Sequence, residues 1–420
     1  MAPTAAAQRH GATGGSPNAP AARPNAPAAR PNAPAARPNA PAARRGLRRP
    51  PAGRNTHAFA ALAVIVVLLS LLGLVMVVLS ATVTSLEATG DPFFHAKRHA
   101  LWLSLGMAAC VVTLRIDYRR WRAPLLTTGA VVVTLGALAC LLLPSPLVLV
   151  GNGSARWLQF GGLVVQPSEA AKLALVLFAA SLLSRRLDRV GSIRQTVLPL
   201  LLVFGAMAGL ILAQPSLGTV LLLAGILLVM LFLAGLPTRH VAGLVALGAA
   251  AAVLFSFQFG YRRQRLASYF DPWSDPYGAG YQALQAQVGI ASGGLTGVGP
   301  GGARSNLAYV PYAHTDFIFV TIAENLGFIG AVAVVGLFLC LGFVGIRVVR
   351  DAPDPYGALL AAGISGWFVL QAFTNIAVAQ SMLPTLGVTL PFVSYGGSSL
   401  IVNLAAVGIL LNVARQGHRP

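Results

Sequence analysis

The chain has 420 residues, of which 56% are hydrophobic and 10% charged, and its formal net charge is +19. This composition excludes an ordinary soluble domain and indicates a polytopic membrane protein. Because the basic residues lie mostly in predicted loops and in one tail, the positive charge indicates orientation in a membrane rather than a nucleic-acid partner.

The first 57 residues form a compositionally separate segment. The heptapeptide Asn-Ala-Pro-Ala-Ala-Arg-Pro recurs there, beginning at Asn18, Asn25 and Asn32, and a fourth copy from Asn39 ends in Arg45 instead of proline. A seven-residue period is typical of coiled coils, but a proline in nearly every turn prevents a continuous helix. Residues 1–57 are therefore predicted to be a disordered basic cytoplasmic tail, which can contact anionic membrane lipid.

Ten apolar segments follow, and each is long enough, with its flanking residues, to cross a bilayer. With the N-terminus in the cytoplasm, most of the 30 Lys and Arg residues fall on the inner side, as the positive-inside rule requires. The sequence therefore predicts an all-α polytopic membrane protein with cytoplasmic termini, a ten-helix domain at 58–415 and a short tail at 416–420. The predicted spans are 58–80, 100–114, 123–143, 168–184, 196–213, 217–235, 240–257, 316–346, 357–381 and 394–413.

Two of the predicted outside segments, 144–167 and 258–315, are long or unusual in sequence. The second is a large extracellular loop between the seventh and eighth spans, and long loops are often functional. It begins with Arg262, Arg263 and Arg265, whose guanidinium groups could bind phosphate. The alternative is a topology signal or a contact with phospholipid head groups.

Two stretches rich in small residues are predicted to let backbones approach closely. The glycine-rich stretch 293–302 lacks the strand–helix context of a nucleotide loop, so its glycines indicate a close-packed loop. The stretch 394–399 precedes the last span, where small polar residues line a cavity or allow close helix packing.

Asp316 lies where the long loop returns to the membrane, and it is one of only 11 acidic residues. A carboxylate at this depth is energetically costly, which indicates a role. Three roles are compatible with the sequence: a cap of the following helix, a general base, or an ion ligand or proton relay. His314 could tune the pKa of Asp316 or simply lie at the membrane interface.

Glu169 and Lys172 are spaced i, i+3 near the outer end of the fourth span, so they share one helix face. Charged pairs in membrane helices usually face a cavity inside the protein, and the alternative is a purely structural ion pair. Trp157 lies in the preceding outside segment, where an interfacial anchor is the commonest role of a tryptophan.

Several of these residues belong to longer motifs that occur in a defined order. They are Gln-Pro-Ser-Glu at 166–169, His-Thr-Asp-Phe-Ile-Phe at 314–319, Glu-Asn-Leu-Gly-Phe at 324–328 and Pro-Phe-Val-Ser-Tyr-Gly-Gly-Ser-Ser at 391–399. Over residues 58–415 the chain resembles the SEDS family (shape, elongation, division, sporulation). Residues 97–98, 115–118 and 382–391 resemble the FtsW branch more than the RodA branch.

This resemblance implies a peptidoglycan glycosyltransferase that polymerises lipid II at the outer face of the bacterial cytoplasmic membrane, at the division septum. It also implies a class B penicillin-binding protein as transpeptidase partner, together with other division proteins. No cofactor is certain, although a divalent cation such as Mg²⁺ or Mn²⁺ could contribute. The alternatives are a lipid II flippase, a RodA-type elongation polymerase and a non-catalytic division scaffold.

The resemblance also assigns site residues. Asp316 is implied as the general base on the acceptor hydroxyl, and Arg262 and Arg265, with help from Lys172, as the groups that stabilise the pyrophosphate leaving group. The other residues predicted to contact substrate are Trp157, Glu169, Gln282, Gln285, His314, Thr315, Ser394, Gly396, Gly397 and Ser398.

The chain departs from the family pattern at four positions. Ser216 stands where the family has Asp, and Tyr312 where it has Glu. Ala303 and Asn306 replace the usual Ser and Lys of the long loop. These changes remove charged groups around the predicted cavity and leave Asp316 in place.

Overall fold

The computed structural model describes residues 57–151, 154–161, 163–258, 265, 267–307 and 309–417. The predicted N-terminal tail before His57 and the last residues of the C-terminal tail lie outside these ranges. The helices of the described residues are α1 (His57–Thr89), α2 (Phe94–Arg115), α3 (Pro124–Cys140), α4 (Pro167–Ser184), α5 (Leu198–Ala213), α6 (Leu217–Leu233), α7 (Thr238–Gln258), α8 (Tyr281–Ser292), α9 (Ile318–Asp351), α10 (Pro355–Ala379) and α11 (Gly397–Gln416).

Each of the ten predicted spans coincides with one of these helices, and α8 belongs to the long loop. Seven of the described helices are long and apolar enough to cross a membrane, and α3 and α6 are apolar but shorter. Helix α2 extends the short predicted span 100–114 at both ends, because it borrows polar flanking residues such as Lys97 and Arg115. The all-α polytopic fold is confirmed, whereas the number of spans and their sidedness stay predictions.

Helix α10 lies at the centre of the bundle and packs against α4, α6, α9 and α11. Its Trp367 and Phe368 are fully buried, and Phe368 makes an edge-to-face contact with Phe392 at 4.9 Å between ring centroids. Helix α7 packs against α6, and the side chains of its apolar stretch Thr238–Phe255 are not buried. The core of the fold therefore surrounds α10, which places the polar residues of that helix away from lipid.

The segment 144–167, which the sequence places outside, contains an antiparallel sheet that the sequence did not predict. Strands β1 (Val148–Gly151), β2 (Ser154–Phe160) and β3 (Leu163–Val165) pair in the order β1–β2–β3. The strands are short and carry no regular alternation of apolar and polar residues, which explains why their periodicity gave no signal. The sheet ends directly before α4, so it holds β2 above the outer end of that helix.

Helix α9 is interrupted at Gly327, whose φ of 69° and ψ of −167° are not helical. A break in a helix leaves backbone groups without their usual partners. The glycine-rich loop satisfies them through hydrogen bonds from Val298 N to Glu324 O, Gly299 N to Asn325 O, Phe328 N to Gly294 O and Ile329 N to Leu295 O. The prediction that these glycines permit a close-packed loop is confirmed.

Three buried polar side chains hold the same loop against α9. The carboxylate of Glu324 accepts hydrogen bonds from the backbone N–H groups of Arg304 and Ser305, at 2.8 and 2.9 Å. Asn306 and Asn325 donate to each other through their side-chain amides, at 3.0 and 3.2 Å. Asn306, one of the departures from the family pattern, therefore has a structural partner on α9.

Replacing Gly327 with alanine is expected to destabilise the protein. A Cβ there would lie 2.3 Å from Gly297 N, and a side chain is strained at this φ by about 1–3 kcal/mol. Gly336→Ala is the matched control on the same helix, because a Cβ at that position meets nothing within 4 Å. Thermal unfolding in detergent should show a lower midpoint for Gly327→Ala only; equal midpoints would contradict this account of the helix break.

Candidate active site

A cavity of about 910 Å³ opens among the ends of α4, α5, α6, α10 and α11, the sheet and the segment before α9. It brings together most of the residues that the sequence predicted for the site. Those that line it are Trp157, Glu169, Lys172, Arg265, Gln282, His314, Thr315, Asp316, Gly396, Gly397 and Ser398.

Three predicted site residues are placed differently. Arg262 lies outside the described residues. Gln285 is on the next turn of α8 after Gln282 and is not part of the cavity wall that the described residues form. Ser394 is buried behind the wall, where its hydroxyl accepts from Leu390 N at 2.8 Å and donates to Thr315 O at 2.6 Å. Ser394 therefore supports the site from behind.

The segment that carries Asp316 is fixed through its backbone carbonyls. His314 O accepts from Tyr395 N at 2.9 Å, and Asp316 O accepts from the Asn375 side-chain amide at 2.7 Å. With the Ser394 contact, three successive carbonyls point away from the cavity, which leaves the side chains free to face it. Helix α9 begins at Ile318 with Phe317 as its N-cap, so the helix-cap interpretation of Asp316 is wrong.

Asp316 is half-buried, and its surroundings change its acidity. Burial raises the pKa of its carboxyl group to about 6, against the opposing effect of the positive charges on Arg265 and Arg156. A carboxylate whose pKa lies near neutrality can both be ionised and accept a proton, as a general base must. Burial lowers the pKa of His314 to about 4, so the neighbouring imidazole is neutral at pH 7.

Arginine side chains stand around Asp316 and are held by backbone carbonyls. Arg156, on β2, donates from Nε to Gln214 O at 3.0 Å and from Nη2 to Pro215 O at 2.8 Å. Arg265 donates from Nη1 to Thr385 O at 3.1 Å. Sequence reasoning missed Arg156, as it did Arg98, which also lines the cavity. Both arginines lie in segments that the sequence predicts to be outside, and this shared side was the signal that could have identified them as site residues.

Lys172 is a second source of positive charge in the wall. Its Nζ lies 2.7 Å from Glu169 Oε2 and donates to Gln371 Oε1 at 2.9 Å. The ammonium also stands 5.0 Å from the ring centroid of Trp367, within range of a cation–π interaction. Glu169 and Lys172 thus form a buried ion pair that also borders the cavity. This arrangement agrees with both interpretations of the sequence, a pair that faces a cavity and a structural ion pair.

Helices α4, α6 and α11 all begin at the cavity, where Gln166, Leu217 and Gly397 line the wall. Helix N-termini carry partial positive charge and exposed N–H groups, so they favour anions. Two of the departures from the family pattern, Ser216 and Tyr312, also border the cavity. Neither side chain is a carboxylate, so neither adds negative charge to the cavity.

The cavity is not suited to a metal held by the protein. Among the described residues, no three His, Cys, Asp or Glu side chains lie close enough together to hold a metal ion. Glu169 is engaged by Lys172, which leaves Asp316 as the carboxylate for chemistry in the described part of the wall. The described residues of the cavity wall therefore do not fit a divalent cation held by the protein.

The fold and the cavity together define a polytopic membrane protein that holds the carboxylate of Asp316 in one cavity with the guanidinium groups of Arg156 and Arg265. The family model for cell cycle proteins of the FtsW, RodA and SpoVE type matches residues 59–419, and the chain belongs to this family. The resemblance inferred from the motifs is confirmed.

Individual relatives match over most of their length. The probable peptidoglycan glycosyltransferase FtsW of Geobacter metallireducens is 39% identical over 352 residues, which cover 83% of this chain and 92% of that protein. Stage V sporulation protein E of Bacillus subtilis is 40% identical over 366 residues, covering 87% of this chain and 99% of that protein. The similarity therefore extends over the membrane domain as a whole.

Solved structures show the same fold. A chain of a peptidoglycan synthase complex that coordinates polymerization and crosslinking aligns with a TM-score of 0.70 and 31% identity, covering 84% of this chain and 96% of that chain. The rod shape determining protein RodA of Thermus thermophilus aligns with a TM-score of 0.61 and 28% identity, covering 86% and 97%.

Proposed function

We propose that this protein is a peptidoglycan glycosyltransferase that polymerises lipid II, with Asp316 as the general base. The observation that carries the proposal is the presence of the Asp316 carboxylate and the Arg156 and Arg265 guanidinium groups in one cavity. A base next to fixed positive charge suits a reaction in which a hydroxyl attacks and a pyrophosphate leaves. The names of the relatives, peptidoglycan glycosyltransferases among them, support it.

In the proposed reaction, Asp316 accepts the proton of the GlcNAc 4-hydroxyl on one lipid-linked unit. The freed oxygen forms a bond to the anomeric carbon of MurNAc on the other unit, with inversion. The bond from that carbon to the pyrophosphate oxygen breaks, and undecaprenyl pyrophosphate leaves. Arg156, Arg265 and Lys172 supply positive charge for the leaving group, and the N-terminus of α11 at Gly397 adds N–H donors.

The protein is a multi-pass membrane protein of the bacterial cytoplasmic membrane, and we place its cavity on the extracytoplasmic face. The Lys and Arg distribution supports this side, because most of these residues then lie in the N-terminal tail and the other inner segments. A ten-span topology with cytoplasmic termini and a septal location complete the proposal.

A transpeptidase of the class B penicillin-binding type is the proposed partner. The similarity to a chain of a complex that couples polymerization to crosslinking supports such an assembly. Other division proteins are further proposed partners. A RodA-type role in side-wall elongation is the second candidate, because a solved RodA shares the fold.

A lipid II flippase is the alternative from a different class. Transport would require polar groups along the full depth of the membrane, whereas Glu169 and Asp316 border one cavity at the helix ends. Purified protein with its transpeptidase in liposomes should convert labelled lipid II into glycan polymer, resolved on a gel. Movement of labelled lipid II across the bilayer without polymer would favour the flippase instead.

Polymerisation is expected to depend on pH through Asp316. The carboxylate must be ionised to accept a proton, and its pKa is raised to about 6, so the rate should fall as the pH drops through 6, roughly tenfold per unit below it. A carboxyl group with the ordinary pKa of about 4 would keep its activity to about pH 5. Initial rates are measured after a check that activity returns at neutral pH; a rate that stays constant to about pH 5 would contradict this role.

A further inference from the structure

Helix α10 carries a stripe of buried residues at a spacing of four: Trp367, Gln371 and Asn375. These side chains are at most 1% exposed. Polar groups inside a membrane bundle are costly unless they are hydrogen-bonded, and they are often functional. Residues four apart share one face of a helix, so Gln371 and Asn375 both point toward the cavity side of α10.

Gln371 connects Lys172 to the wall of the cavity. Its Oε1 accepts from Lys172 Nζ at 2.9 Å and from Trp367 Nε1 at 2.7 Å. Its Nε2 donates to Thr389 O at 2.8 Å. The amide therefore fixes the ammonium of α4 relative to the segment between α10 and α11.

Asn375 makes the equivalent connection for Asp316. Its Nδ2 donates to Asp316 O and to Val388 O, both at 2.7 Å. The segment around Val388, which Asn375 binds, lies next to the carboxylate of Asp316. A Cβ added at the adjacent Gly387 would lie 3.6 Å from Asp316 Oδ2. One side-chain amide thus ties the backbone of Asp316 to the opposite wall.

We propose that Gln371 and Asn375 are positioning residues that set Lys172 and Asp316 at a fixed distance across the cavity. The inference rests on the proposed function, in which Asp316 takes the proton and Lys172 helps to hold the pyrophosphate. Both amides bind the same segment, Gln371 at Thr389 and Asn375 at Val388. Because both lie on α10, this one helix fixes the positions of Lys172 and Asp316 relative to each other. Neither amide contacts the reacting atoms in this account.

Conservative variants of Gln371 separate positioning from packing. Gln371→Glu keeps an oxygen that accepts from Lys172 and Trp367 but loses the donor to Thr389 O, whereas Gln371→Met keeps the volume and removes the acceptor and the donor together. We expect Gln371→Met to raise KM for lipid II about tenfold, and Gln371→Glu, which still accepts from the ammonium of Lys172, to raise it less. A purely structural role predicts the reverse, because methionine is the better tolerated residue inside a membrane bundle. A near-normal KM in folded Gln371→Met would overturn the role of Gln371.

The variants of Asn375 test the second connection. Asn375→Asp keeps the shape but cannot donate to two carbonyl groups, and Asn375→Leu removes the donor. Both are expected to lower kcat by about ten- to a hundredfold with little change in KM, because the base is displaced. Thr374→Val is the matched control on the adjacent residue, whose hydroxyl bonds to Leu370 O within the helix. Wild-type kcat in Asn375→Asp would show that Asn375 only fills space.

Chemical labelling provides a readout that does not need polymerase activity. Dicyclohexylcarbodiimide reacts with protonated carboxyl groups, so the pH dependence of labelling at Asp316, read by mass spectrometry, reports its ionisation. Besides its neighbour His314, the groups that face it from other elements are Arg265 and Arg156, and all of them are retained in Asn375→Leu.

Asn375→Leu should admit water to the loosened segment and lower the labelling midpoint by about one pH unit, whereas Thr374→Val leaves it unchanged. An unchanged midpoint in folded Asn375→Leu overturns the role of Asn375, whatever the activity. If the wild type makes no polymer, the proposed function fails, while the labelling result still decides whether Asn375 positions Asp316.

Discussion

Asp316→Asn is expected to remove polymerase activity while the protein remains folded. Asparagine has nearly the shape of aspartate, but its amide cannot accept the proton of the attacking hydroxyl. General-base catalysis contributes about 10²–10⁴-fold to a rate, so glycan synthesis should fall by at least about a hundredfold. The backbone contacts of residue 316 are made by its carbonyl oxygen and are unchanged by the substitution. Polymerisation of labelled lipid II with the partner transpeptidase measures the effect.

Asp91→Asn is the matched control for this experiment. Asp91 lies in the turn between α1 and α2, where its carboxylate is partly exposed and pairs with Lys97 at 2.8 Å. It does not line the cavity that the described residues form. The control should keep full activity, and both variants should elute and unfold as wild type does. Normal glycan synthesis by folded Asp316→Asn protein would mean that another group accepts the proton.

Lys172→Met is expected to cause the largest loss of stability and to impair polymerisation. Lys172 is 1% exposed, and its ammonium lies 2.7 Å from the carboxylate of Glu169. Removing one member of a buried ion pair leaves an uncompensated charge, which costs about 3–5 kcal/mol. Thermal unfolding in detergent measures the loss. The control is the exposed ion pair between Lys97 and Asp91. Lys97→Met should change the free energy of unfolding by less than about 1 kcal/mol.

A double variant separates the structural role of this pair from its role in substrate binding. Glu169→Gln with Lys172→Met removes both charges, so most of the stability should return. Activity should remain low, because the cavity still lacks the ammonium that faces the pyrophosphate. If the double variant regains wild-type polymerisation together with its stability, the pair is structural only and the substrate role of Lys172 is refuted.

The sequence predicted the helices well because hydropathy is a local property. Each of the ten apolar segments became a helix, since a chain in lipid must satisfy its backbone hydrogen bonds within the segment itself. The sheet at 148–165 was missed because its strands are short and lie outside the spans. The break at Gly327 was also missed, since its backbone partners lie in the glycine-rich loop rather than in α9.

The candidate site was predicted only in part, and the missing residues share one feature. Arg98 and Arg156 were counted as loop charges, and Gln371 and Asn375 stood in the middle of an apolar segment without a motif of their own. Their partners are remote in sequence: Gln371 and Lys172 are 199 residues apart, and Asn375 and Asp316 are 59 apart. No local pattern contains such a pair.

The sequence by itself determined the class of the protein and its helices and made Asp316 the candidate base, because composition, span length and motif order are all read along the chain. The tertiary structure decided what surrounds Asp316. It placed Arg156 and Arg265 beside the carboxylate. It showed that Ser394, predicted to contact substrate, lies behind the cavity wall, and that Phe317 rather than Asp316 is the N-cap of α9. The reason is physical: burial, electrostatic fields and hydrogen bonds depend on distance in space, which a linear chain acquires only when it folds.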